Sequence, residues 1–98
     1  MPSNLPFAVP LDSPWFDANA SDPYFQYVGT CDKYPFRDYA NWPAHIQAEA
    51  AAMAAMEWHL RAASGSMWGI TWKEASDGAD SAINAFAAAR ERMKGGAT

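Results

Sequence analysis

The sequence predicts a mainly α fold: an antiparallel helical hairpin, about residues 42–64 and 72–93, with an extended Pro- and aromatic-rich N-terminal arm packed on it or on a partner. Three observations carry this expectation. Asn41 to Gly65 is an alanine-rich stretch whose larger apolar residues recur every three or four positions, the period of a helix with one buried face. A second periodic stretch follows Thr71-Trp72-Lys73-Glu74, whose Thr and Glu have the spacing of a capping box. All seven prolines lie at or before Pro43, so helix-breaking chemistry is confined to the first part of the chain.

Residues 1–40 read as the arm, with short turns, and residues 41–98 as the hairpin, the whole forming one folding unit. Pro2, Pro6, Pro10 and Pro14 fix φ and push their predecessors away from helical angles, so Met1 to Ser13 is expected to be extended. Leu5, Phe7, Val9 and Leu11 alternate along it and would share one side. That side covers either the chain's own helices or another subunit. Ser13-Pro14-Trp15-Phe16 and Asp22-Pro23-Tyr24-Phe25 resemble each other, and each suits a type I turn or the first turn of a short helix. Tyr24 to Val28 reads alternatively as a brief strand ending at Gly29, with no evident partner. Asp32, Lys33, Arg37 and Asp38 around Tyr34-Pro35-Phe36 read as a solvated turn.

Asn41 suits an N-cap, with Pro43 in the first turn where a missing N–H costs nothing. Trp42, Ile46, Ala50, Met53, Met56 or Glu57, Leu60 and Ala63 form one apolar stripe of the first helix. Ala48, Ala51 or Ala52, Ala55 and Ala62 form a second, small enough for another backbone to come close. Glu57 and Arg61 are an i, i+4 pair in the favourable order, and Gly65 supplies the left-handed stop. After the short connection 66–70, Ile70 is placed to staple onto Ala75. Trp72, Ala75 or Ser76, Ala79, Ile83, Phe86, Ala89 or Arg90 and Met93 share a side of the second helix. Acids cluster early in it and Arg90, Arg92 and Lys94 late, following the helix dipole. Gly78 costs about 1 kcal/mol inside a helix, so a start near Ser76 or Asp77 is the alternative boundary. A hairpin alone hides neither helix completely; the remaining surface calls for the arm, a second copy or another partner.

Composition bounds the function. The 98 residues carry a net charge of −4, spread evenly, with no basic stripe of the kind that binds nucleic acid. No apolar run approaches the roughly 20 residues needed to span a membrane, and no signal-peptide pattern occurs, so the expected location is virion or cytoplasm. The single cysteine, Cys31, has no local base and reads as an inert thiol. His45 and His59, fourteen residues apart, would lie roughly 21 Å apart along a helix and cannot share a metal ion. Asp77 and Asp80 fit a helix N-terminus better than a calcium loop. No phosphate loop, nucleophile elbow or zinc-protease motif is present, so no catalytic residue, metal ligand or cofactor is expected.

The expected function is therefore that of a non-enzymatic structural or assembly subunit, in its sharpest form a small phage virion protein: capsid cement, head-completion or tail-associated. Its partners would be other virion subunits or copies of itself. The alternative is a small soluble inhibitor or adaptor binding one host protein, of the anti-defence type. Either way, contact is expected through Phe7, Val9, Trp15, Phe16, Tyr24, Phe25, Trp58 and Trp68, because ten of the fourteen aromatics lie within residues 1–42 and tryptophan is enriched at interfaces.

Overall fold

A computed structural model describes residues 6–10, 13–17, 25–28, 34–64 and 71–95. Within them the chain runs through three two-residue strands, β1 (Phe16–Asp17), β2 (Gln26–Tyr27) and β3 (Tyr34–Pro35), then a 3₁₀ segment, Phe36–Asn41, and two helices, α1 (Ala44–Ser64) and α2 (Trp72–Gly95). The fold is mainly helical, with a small sheet built from what the sequence presents as an arm.

The sheet is antiparallel in the order β1-β2-β3. Phe16 pairs with Tyr27 and Tyr27 with Tyr34, so three aromatic residues stand side by side across it. Two backbone bonds extend the pairing: Val28 N–H donates to the Trp15 carbonyl at 2.9 Å, and Phe36 N–H to the Phe25 carbonyl at 2.8 Å. Pro35 lies on an edge strand, where its missing N–H takes nothing from the ladder. Within the proposed strand Tyr24–Val28, Gln26–Tyr27 is the central strand, and its partners are equally short. Tyr24 lies outside the described residues.

Beneath the sheet the rings pack edge to face and tilted. Phe36 has no exposed surface and sits with its centroid 5.8 Å from Phe16, 5.1 Å from Phe25 and 5.6 Å from Trp42. Tyr39 lies 5.0 Å from Trp42 and 5.9 Å from Phe7. Such spacings are those of favourable aromatic pairs, each worth about 0.5–1.5 kcal/mol beyond the area it buries. This aromatic layer rests on Ile46, Ala50, Ala51 and Ala54 of α1 and on Ala82 and Ala85 of α2.

The helix starts follow local chemistry. Pro43 pushes Trp42 into extended angles (φ −66°, ψ 150°), so α1 begins two residues later than expected. The Pro43 carbonyl, rather than Asn41, receives the first helical bond, from Gln47 N–H at 3.0 Å. Asn41 instead closes the 3₁₀ segment. Thr71 and Glu74 form the expected capping box: Glu74 N–H donates to Thr71 Oγ1 at 3.0 Å, and Thr71 N–H to Glu74 Oε1 at 3.1 Å. That cap starts α2 at Trp72 and carries it through Gly78. Gly65, the connection 66–70 and the Ile70 staple lie outside the described residues, as does Cys31.

The helices pack antiparallel, Trp58 beside Gly78 and Gln47 reaching Arg92. Their contact is made of small residues: Ala51, Ala54 and Ala55 on α1, Ala75, Ala79, Ala82, Ala85 and Ala89 on α2, all buried. Of the stripe expected on α2, Ala75, Ala79 and Ala89 lie in this contact, and the large members do not. Trp42 and Ile46 are buried, but Met56 and Leu60 stand 56% and 60% exposed, and on α2 Trp72, Ile83 and Met93 are exposed. Close approach of two backbones leaves little room for large side chains between them, so alanines fill most of the interface and the one indole there, Trp58, faces a glycine, Gly78. Glu57 and Arg61 pair at 3.5 Å as expected, with the Arg61 side chain buried rather than solvated.

Candidate functional site

The arm closes on its own helices. Ala8 N–H donates to Ser81 Oγ on α2 at 3.2 Å, and the Ala8 carbonyl accepts from Trp58 Nε1 on α1 at 3.0 Å. One residue thus ties both helices. Ser81 Oγ in turn donates to the Gly78 carbonyl at 2.8 Å. Phe7 is buried beside this clasp, against Tyr39.

Two surfaces follow from where the arm lies. At about 100° per residue, Ser81, Ala85 and Arg92 share the flank of α2 that faces the arm, and Trp72, Ile83 and Arg90 share the opposite one. On α1 the same opposition separates Ile46 and Ala50, under the sheet, from Ala48, Ala52 and His59. On this second flank Ala48 is buried and Ala52 half-buried, while Trp72, Ile83, His59 and Arg90 are exposed. Trp72 is 71% exposed there, and the Arg90 guanidinium lies 5.8 Å above the half-buried Phe86 ring.

The other surface is a groove of ≈ 590 Å³ between the arm and the C-terminal half of α2, lined by Pro6, Tyr39, Ala40, Gln47, Asn84, Ala85, Ala88, Ala89 and Arg92. Gln47 is buried and committed on both ends: its amide donates to the Tyr39 carbonyl at 2.6 Å, and its oxygen accepts from the Arg92 guanidinium. Burial pushes the Tyr39 phenol up to about 12, the nearby Arg92 charge opposing.

Of the residues expected to make contacts, Phe7 and Phe16 are buried in this chain's own core, and Val9 and Phe25 are partly buried against it. Trp15 is exposed beside the sheet. Trp58 is half-buried and spends its N–H on Ala8. Tyr24 and Trp68 lie outside the described residues. His45 and His59 are both solvent-exposed on α1. Among the described residues, no three or more His, Cys, Asp or Glu are grouped so as to hold a metal, and no helix is long and apolar enough to cross a membrane.

No protein-family model matches the chain, and no curated protein or solved structure matches it either.

The groove residues Tyr39, Gln47, Asn84 and Arg92 carry no motif. One signal was present: Gln47 falls in line with Ala51, Ala54 and Trp58 on the small-residue face, and a polar side chain there must find partners when buried.

Tyr39 sets a pH limit on stability. Its phenol ionises near 10 in an unfolded chain and near 12 here, so the folded state holds the proton more tightly. The stabilisation is present below pH 10 and is lost as pH rises from 10 to 12. Urea unfolding at pH 8, 10 and 11.5 should show this loss, and Tyr39→Phe should flatten the part of the slope that belongs to this phenol. An unchanged slope in the variant would show that the phenol ionises freely.

Proposed function

We propose that this protein is a non-enzymatic assembly subunit that docks through the second flank of its helical hairpin, the occupant being a second copy of the chain. The carrying observation is that flank: Trp72 and Ile83 stand exposed on one side of α2, with the half-buried Phe86 ring and the Arg90 guanidinium over it. Large apolar residues exposed along one side are what a helix needs to seat against a neighbouring helix. A copy related by a two-fold axis would present the same flank and complete a four-helix arrangement. The sharper form of the reading is a small phage virion component, in which repeated copies sit in a larger shell or tail.

The test uses the full chain. Light scattering across micromolar concentrations is expected to show a mass above that of one 10.7 kDa chain. Ile83→Glu and Trp72→Glu are each expected to return the monomer while leaving helical circular dichroism intact. A wild-type chain that stays monomeric, with Trp72 equally quenched by iodide at every concentration, would remove the proposal.

A further inference from the structure

The groove beside Tyr39 has an arrangement that self-association through the opposite flank leaves unused: polar groups and one fixed cation over an alanine floor. We propose that it binds a monoanionic carboxylate carried on a small apolar body, with the Arg92 guanidinium as its anchor.

Four observations converge. Arg92 is held in place, since one N–H is taken by Gln47 Oε1 and Gln47 is itself pinned to the Tyr39 carbonyl. A guanidinium has five N–H donors, so the others are left for a ligand, in the fork that matches a carboxylate. Among the described residues, no ion pair neutralises Arg92, and its sequence neighbour Glu91 pairs with Lys94 at 3.6 Å. Among the described residues, no carboxylate lines the groove, and its other polar side chains, the Tyr39 phenol and the Asn84 amide, can both donate hydrogen bonds.

The lining also sets the ligand's size and charge. A single guanidinium balances one negative charge, which fits a carboxylate better than a doubly charged phosphate. Ala85 and Ala89 are buried and form an apolar floor, and Pro6 adds an apolar wall. A volume of ≈ 590 Å³ falls within the range of small-molecule sites. The raised Tyr39 phenol keeps its proton through neutral pH and stays a donor. Such a carboxylate comes either from a free organic acid or from the C-terminal end of a peptide, and the chemistry at Arg92 is the same for both.

Titration of the ¹⁵N-labelled full chain with hexanoate, watched by amide chemical shifts, tests the proposal. Saturable shifts are expected at the Asn84 side-chain amide and the Ala88 and Ala89 backbone amides, with Kd on the order of 1 mM. Hexanamide, which has the same body without the charge, should produce none. Arg92→Gln should weaken binding at least tenfold while circular dichroism and native mass stay unchanged, since Arg92 is exposed and lies away from the Ile83 flank. Equal shifts from hexanamide, retained binding by Arg92→Gln, or shifts confined to other surfaces would each overturn the site. A short N-acetylated peptide ending in leucine, compared with its C-terminal amide, identifies the source. Tighter binding than hexanoate, lost on amidation, assigns the groove to a chain end; weaker binding than hexanoate assigns it to free acids. Because the self-association test reads Ile83 and this one reads Arg92, either can fail without the other.

Discussion

Gly78→Ala is expected to destabilise the protein by about 2–3 kcal/mol, although alanine is the better helix former by about 1 kcal/mol. The reason lies opposite it. A Cβ added at Gly78 would come 2.6 Å from Trp58 Cδ2 and 2.7 Å from Trp58 Nε1, distances that real Cβ atoms do not show. The indole is rigid and cannot yield by bending one bond. Its Nε1 is also committed to the Ala8 carbonyl, so a shift large enough to admit the methyl breaks the arm's clasp on α1. Overpacking of this kind typically costs 1–3 kcal/mol, and the loss of the clasp adds to it. Urea unfolding monitored at 222 nm would measure the change. The pair Gly78→Ala with Trp58→Leu should be less destabilised than the two single effects added together, because the smaller side chain removes the clash. A Gly78→Ala variant as stable as the parent, or more stable, would show that α1 and α2 do not approach this closely.

The second large effect is expected at Phe36. Truncation to alanine should cost about 3–5 kcal/mol, the usual range for a fully buried phenylalanine. It would empty the point where Phe16, Phe25 and Trp42 meet. A domain of this size is stable by only 5–15 kcal/mol, so this loss takes a large share. Near-UV circular dichroism should weaken along with the unfolding midpoint, since the packed rings lose their common centre. Trp15→Ala provides the contrast: a larger ring, but 36% exposed at the edge of the same sheet, should cost clearly less than Phe36→Ala. Equal costs at the two positions would contradict the placement of the aromatic layer.

Which parts of this fold were legible follows from the length of the pattern each part carries. Both helices span five or more turns, and the Thr71–Glu74 box and the alanine runs mark them without help from tertiary structure. The sheet was legible only as Tyr24–Val28 without a partner, because a two-residue strand shows no alternation to detect. Which face of each helix packs was half legible. The alanine stripe was recognised as a close-approach surface, yet Leu60 and Ile83 were expected inside with the other large residues and are exposed. Hydrophobic period alone cannot rank two stripes on one helix; the distance between backbones decides, and Gly78 against Trp58 is the local sign that it is short. The groove was least legible. It draws Tyr39, Gln47 and Arg92 from three separate segments, and only the return of α2 along α1 brings Gln47 and Arg92 together.

The clasp at Ala8 also has a consequence in time. Its two partners are far along the chain, Trp58 fifty residues later and Ser81 seventy-three. Ribosomes add roughly 5–20 residues per second, so Ala8 leaves the exit tunnel about 2.5–10 s before Trp58 does, and longer still before Ser81. During that interval the aromatic segment lacks the helical floor on which it rests in the finished chain. Synthesis stalled shortly before Ser81 should therefore leave the N-terminal segment open to protease while the completed chain resists.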